Sequence, residues 1–289
     1  MKILPVAFDS IGVRSMATYI ETKDVRVFID PGIALSPDRY SLPPHRIELD
    51  RHRELWEKVK HWVDVSDIVV ITHYHFDHHN PDEEAIYRNK DIFLKHPRES
   101  INFSQQERAA QFLRMTEQCA KNITIADGKA FTFGSTRIEF SPPVFHGSSS
   151  QMGYVVEVLI EEEEKFIYTS DVQGPLNDDA VDFIIGSAPD SVIVDGPATY
   201  LIGSHYKKHD ITLAVENLKK IIAQTPVKTL IIDHHLLRDM TWRDHITPLE
   251  TVKPDVRICC AAEFLGVEEN ILEARRKELY QGSNSGKTC

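Results

Sequence analysis

Short apolar runs that stop abruptly at polar residues punctuate the whole chain. Leu4 to Phe8, Met16 to Glu21 and Val25 to Asp30 read as strands, with Lys23-Asp24 as a hairpin turn and Pro31-Gly32 as a hard stop. Residues 33–50 are polar and proline-rich and read as an exposed loop. From Leu49 to Val63 the apolar residues Leu55, Trp56, Val59, Trp62 and Val63 fall at helical intervals. The run Asp67 to Ile71 that follows reads as a buried strand, and this strand–helix–strand order argues for an α/β arrangement. Pro81 to Asn89 is expected to start a helix, because Asp82, Glu83 and Glu84 suit the positive end of the helix dipole. Asp91 to Lys95 is a short strand, and Ser104 to Ala120 is a helix whose apolar side is Ala109, Phe112, Leu113 and Met115. Three short strands follow in residues 122–140, punctuated by Gly128 and Gly134.

The second half repeats the pattern. Gly153 to Ile160 and Lys165 to Thr169 read as strands joined by a solvated hairpin tip at Glu161 to Glu164. Ser191 to Asp195 and Thr229 to Ile232 are further apolar strands, separated by a helix from Thr212 to Ile222. Val256 to Leu265 is expected as a strand and Asn270 to Tyr280 as an amphipathic helix. The chain thus reads as one domain over residues 1–280, with a frayed, Gly/Ser-rich tail over 281–289.

Composition narrows the setting more than the chemistry. A 289-residue chain with 42% hydrophobic residues can bury a sizeable core, and it contains no apolar run long enough to cross a membrane. Four cysteines without paired spacing show no disulfide framework, and adjacent Cys259 and Cys260 fall in an apolar run where buried free thiols are expected. A reducing, cytoplasmic setting follows. The net charge of −11 weighs against a nucleic-acid partner, because phosphate backbones reward clustered Lys and Arg.

The chemistry begins where the strand Asp67 to Ile71 ends, in Thr72-His73-Tyr74-His75-Phe76-Asp77-His78-His79. Imidazole and carboxylate donors suit zinc, and iron or manganese less exclusively. A strand continuing through them would point His73 and His75 to one side, and the chain must then turn to bring Asp77 and His78 near. A solvated His-rich loop is the duller alternative. It loses ground because further donors sit at later strand ends: His146 before Gly147, Asp171 after Tyr168-Thr169-Ser170, and the pair His234-His235 after Thr229 to Asp233.

His73-x-His75-x-Asp77-His78 resembles the signature of the metallo-β-lactamase-fold hydrolases, and the later strand ends match that family's remaining motifs in order. The resemblance covers the whole domain and places the chain in a prokaryotic branch of the superfamily. It implies a four-layer αβ/βα sandwich, with two mixed β-sheets packed face to face and helices outside. It also implies a dinuclear site in which His73, His75 and His146 hold one metal, Asp77, His78 and His234 hold the other, and Asp171 bridges. Alternation along a strand turns only one of His234 and His235 inward. His234 is preferred, leaving His235 to support the site or face substrate. Asp30 matches a supporting aspartate of the family, and Asp195 and Asp233 are further candidates to hold ligand imidazoles from behind.

Two divalent metal ions, zinc by default, would acidify a bound water and so supply a hydroxide nucleophile. The expected activity is hydrolysis of a small phosphoester or an ester or lactone, with Asp77 and Asp171 indispensable. Lys207-Lys208 and His205 form the most cation-rich local stretch, and Arg14 could meet a substrate anion, although a solvated loop accounts for each of them equally simply. A nuclease and an iron-dependent redox enzyme of the same fold are the rivals. The acidic balance counts against the first, and the lack of a flavin-partner domain against the second.

Overall fold

Six strands within residues 2–125 and seven within residues 130–259 form two mixed sheets in the computed structural model, which describes residues 1–203 and 206–285. The first sheet runs in chain order through β1 (Lys2–Phe8), β2 (Met16–Glu21), β3 (Arg26–Ile29), β4 (Ile68–Ile71), β5 (Asp91–Leu94) and β6 (Asn122–Ile125). Its first two pairings are antiparallel and the rest parallel. After β7 (Ala130–Phe133) and β8 (Thr136–Phe140), a two-stranded ribbon of β9 (Val144–Phe145) and β10 (Tyr154–Val155) intervenes. The remaining strands are β11 (Val158–Glu161), β12 (Lys165–Tyr168), β13 (Ser191–Asp195), β14 (Thr229–Asp233) and β15 (Arg257–Cys259). They build the second sheet in the order β15-β14-β13-β12-β11-β8-β7, parallel from β12 to β15.

All four residues of β4 are buried, as are the last four of β13 and β14. That is the pattern of parallel strands covered on both faces. Because β3 and β4 run parallel, as do β12, β13 and β14, their carboxyl ends gather at one edge, where ligands bind in sheets of this kind. Asp30, Thr72-His73, Ser170-Asp171, Asp195 and His234 are the residues at those ends.

The helices are α1 (Arg46–Asp64), α2 (Phe103–Thr116), α3 (Asp178–Ser187), α4 (Lys208–Gln224), α5 (Trp242–Ile246), α6 (Ala261–Leu265) and α7 (Arg276–Ser285). The α1 helix lays Leu55, Val59 and Val63 on the first sheet, with the Trp62 ring 4.5 Å from that of Tyr19. Its start is fixed by His45, whose backbone N–H donates to Glu48 at 2.8 Å. Glu48 in turn receives two bonds from Arg276, both at 2.8 Å, and this fully buried ion pair ties α7 to α1.

Local bonds explain where the elements depart from the pattern. The stretch Val256 to Leu265 is only briefly a strand, because the N–H groups of Ala261 and Ala262 are taken by Asp233 Oδ2 and Ser10 Oγ and Glu263 caps Cys260, which starts α6. Gly153 to Ile160 breaks into β10 and β11 where Val156 N–H crosses to the Thr72 carbonyl of the other sheet. Pro81 to Asn89 holds only a single 3-10 turn, Glu84–Tyr87, since Asn80 captures the Asp82 N–H and the Tyr87 hydroxyl bonds Asn80. The last helix begins at Arg276 rather than Asn270 and continues through Ser285, so residues 281–285, expected in a frayed tail, are helical. The α3 helix has no counterpart among the expected elements. Asn177 caps it, accepting from Ala180 N–H at 3.0 Å. Cys119, Cys259 and Cys260 are buried free thiols, and no helix among the described residues is long and apolar enough to cross a membrane.

Candidate metal centre

The strand β4 stops at Ile71, so His73 and His75 lie in a turn rather than on a strand. The turn is closed by His78 and His79 N–H groups, which both donate to the His75 carbonyl, at 3.0 and 3.2 Å. Gly32 presses against it. A Cβ at that position would lie 2.3 to 2.5 Å from backbone atoms of His78 and His79, so only glycine lets the two segments touch.

Asp30 organises the base of the turn. It accepts from Thr72 N–H (2.8 Å), Thr72 Oγ1 (2.6 Å), His78 Nδ1 (2.8 Å) and, from the opposite sheet, the Tyr168 hydroxyl (2.8 Å). Asp30 itself adopts a left-handed backbone (φ 53°), as do Ser170 (57°) and His234 (62°). Non-glycine residues rarely do so, and each of these three sits where a strand turns into the site.

The donors expected from sequence converge. His73, His75, His146 and Asp171 present ligand atoms within 4.8 Å of one another, and so do Asp77, His78 and His234. Asp171 stands between the sets. Its Oδ2 is 3.1 Å from His146 Nε2 and 3.5 Å from His73 Nε2, whereas its Oδ1 is 2.9 Å from His78 Nε2 and 3.3 Å from His234 Nε2. His73 Nε2, His78 Nε2 and Asp171 Oδ1 are buried and close to one another, yet none makes a hydrogen bond of acceptable angle among the described residues. Buried polar atoms seldom lack partners, and these are nitrogen and carboxylate donors aimed at one another, which fits divalent metal ions.

The rings are held from behind in the way metal-binding imidazoles are. His78 Nδ1 donates to Asp30, leaving Nε2 toward Asp171. His234 Nδ1 is 2.8 Å from Asp9 Oδ2, with its Nε2 3.7 Å from Asp77 Oδ2. His235 instead gives its Nδ1 to Asp195 at 2.9 Å while lining the cavity. Asp233 takes three backbone N–H groups, from Ser10, His234 and Ala261, and no ring. The imidazole support assigned to it from sequence falls to Asp9.

Charge follows burial. Burial is the largest influence on His73 and, with repulsion from His78, lowers its pKa to about 4, the neutral form in which imidazole ligates metal. For His78 burial acts the same way, but Asp171 and Asp30 outweigh it and lift the value to about 10. Burial also pushes Asp77 upward, yet His78, His234 and Arg238 hold it far below the usual carboxylate range. Burial and then the charge of Asp171 raise Asp195 to about 7.

A cavity of about 340 Å3 opens over the cluster, walled by Arg14, Leu35, Phe76, Arg108, Met152, Tyr200 and Arg238 among others. A larger cleft near Trp62 and Leu265 contains none of the donors. Sequence reasoning missed Asp9, although it follows β1 as Asp30 follows β3. It also missed Arg238, a buried guanidinium that joins Asp9 (2.8 Å) to Asp77 (3.5 Å). Arg14 is neither solvated nor free, because Glu273 grips it at 2.5 and 2.6 Å. Lys207 and Lys208 are exposed at the start of α4, outside the cavity wall, and His205 lies outside the described residues.

Residues 25–235 match the profile of the beta-lactamase superfamily domain. A UPF0282 protein of Korarchaeum cryptofilum is 46% identical over 285 residues, covering 97% of this chain and 95% of its own length. The fold is similar to that of an isothiocyanate hydrolase from Delia radicum gut bacteria (TM-score 0.55, 15% identity, 89% of this chain and 96% of that one). It is also similar to that of a metal-dependent hydrolase of the beta-lactamase superfamily (TM-score 0.51, 13% identity, 89% and 95%). Sequence kinship along nearly the whole chain and a shared two-sheet architecture agree: this chain is a UPF0282 member of the metallo-β-lactamase superfamily of metal-dependent hydrolases.

Proposed function

We propose that the chain is a dinuclear metal-dependent hydrolase acting on a small phosphoester or an ester or lactone, with zinc as its metal. The observation that carries this reading is the division of the Asp171 carboxylate, one oxygen toward His73 and His146 and the other toward His78 and His234. A carboxylate so placed suits a metal pair of the separation used by two-metal hydrolases. His73, His75 and His146 would hold one ion, Asp77, His78 and His234 the other, and Asp171 both. Bound there, two divalent ions supply Lewis-acid polarisation of the scissile bond and acidify a water.

The rest of the work belongs to the chain. Asp30 and Asp9 fix the His78 and His234 rings by their Nδ1 atoms and so orient both Nε2 donors. Arg238 steadies Asp77 and Asp9 together. His235, kept neutral by burial and tethered to Asp195, lines the cavity beside the cluster and is available to a substrate oxygen or leaving group. A cavity of about 340 Å3 suits a small molecule.

The test is metal analysis of protein purified without chelator, followed by turnover on phosphodiester, lactone and thioester panels. Two zinc ions per chain and hydrolysis that disappears in Asp77→Ala and Asp171→Ala, with the fold kept, are expected. Activity surviving both substitutions would sink the dinuclear reading.

A further inference from the structure

We propose that Arg108 anchors an anionic group of the substrate, remote from the bond that is cleaved, so that the substrate is a small organic anion with an apolar segment between the two. This rests on the hydrolase reading above and adds its substrate class.

Three guanidinium groups wall the cavity, and two are already engaged. Arg14 is held by both oxygens of Glu273, and Arg238 by Asp9 at 2.8 Å and the Tyr200 hydroxyl at 3.1 Å. Arg108 differs. Among the described residues no carboxylate lies within 4.0 Å of it, and its contacts are the Tyr74 carbonyl at 3.5 Å and the Phe76 ring, 4.6 Å from centroid to guanidinium carbon. The carbonyl bond uses one of five N–H donors and the aromatic face uses none, so a planar fork remains for a carboxylate or phosphate.

The surroundings say what the rest of the ligand is like. Phe76 and Met152, which share the cavity wall with Arg108, are 45% and 48% exposed, so apolar surface is open to a ligand there. They put apolar surface on the same cavity wall, with Phe76 directly beneath the guanidinium and next to His75 in the chain. The helix bearing Arg108 is fastened to the site one turn earlier: buried Gln105 bonds the Met152 carbonyl at 2.9 Å and lies 3.4 Å from His75 Nε2. An acidic body of net charge −11 repels anions at large, so a ligand anion gains its orientation from the guanidinium in the cavity wall that no carboxylate pairs with among the described residues.

The test pairs binding with turnover on the zinc-loaded protein. The binding probes are 4-phenylbutyrate and 3-phenylpropylphosphonate, with neutral 4-phenylbutyramide as reference, titrated calorimetrically into wild type, Arg108→Gln and Arg108→Lys. Charge-assisted hydrogen bonds of this strength predict about a 10- to 100-fold loss of anion affinity in Arg108→Gln, partly restored by lysine. The preferred anion tells whether the subsite takes carboxylate or phosphate. In turnover, the ratio of kcat/KM for mono-4-nitrophenyl glutarate over 4-nitrophenyl valerate should fall by a similar factor in Arg108→Gln. Equal anion binding by wild type and Arg108→Gln, or no anion binding by wild type, overturns the anchor. If binding falls as expected but neither ester is cleaved by wild type, the anchor stands and the hydrolase reading is what fails.

Discussion

Glu157 lies between β10 and β11, is fully buried, and has no hydrogen-bond partner for either carboxyl oxygen among the described residues. Its backbone is pinned on both sides to Ser141, by Glu157 N–H to Ser141 Oγ (2.9 Å) and Ser141 N–H to the Glu157 carbonyl (3.0 Å), so the side chain cannot swing out to water. Burial alone raises its pKa well above the usual value, and the folded protein holds it as a neutral acid. In the unfolded chain the same group ionises above about pH 4.3. The sign follows. Stability is fully present below that unfolded value, then falls by about 1.4 kcal/mol per pH unit until the pH passes the raised folded value. Glu157→Gln keeps the shape and removes the titration. Its buried amide adds a constant offset of about 1–3 kcal/mol, which does not vary with pH. Urea denaturation of both proteins at matched metal content, in steps from pH 4 to pH 8, should therefore show the variant gaining on wild type as pH rises above the unfolded value. A difference that stays flat across the range would mean the carboxyl is solvated or paired, and would refute the argument.

Two further outcomes follow from the site's frame. Asp9→Ala should lower metal affinity about 10- to 100-fold, measured by competition with a chromophoric chelator, because it removes the carboxylate that holds His234 Nδ1 and the Arg238 guanidinium together. Gly32→Ala should disorder the His75–His79 turn, since its Cβ meets backbone rather than a yielding side chain. Loss of bound metal together with a fall in Tm of several degrees is the expected result, and a variant with normal metal content would show that the turn can move aside.

The donors were legible because each follows a run whose burial is forced. Four apolar residues in β4, then Thr72-His73, and the apolar course of β14 before His234, announce a strand delivering a polar group to an edge. The supports were not legible on the same terms. Asp9 follows Phe8 with no motif about it, and its partner His234 is found only once β1 and β14 belong to facing sheets. Arg108 and Gln105 sit on a helix whose polar positions look solvated in sequence, and only the packing of α2 over His75 separates them from ordinary surface residues. The misplaced elements share a cause. Where a backbone N–H is claimed by a distant side chain or by the other sheet, as at Ala261 and Val156, local propensity loses to tertiary structure.

Asp171, His73, His78 and His234 follow strands of both large sheets and His146 follows the ribbon, so a metal held there would join the two halves during assembly. During synthesis the His73 to His78 segment emerges with four donors of its own, but its carboxylate partner at 171 and its closing imidazole at 234 arrive much later. On the metal-bound reading proposed above, an ion caught early would be held by half a cage, and full affinity would come only when the second sheet docks on the first. A ligand that binds the folded state alone stabilises it by about 2.7 kcal/mol at a hundredfold excess over Kd. On the same reading the bound metal would clamp the two halves, and starvation for the ion would loosen the docking of one sheet on the other.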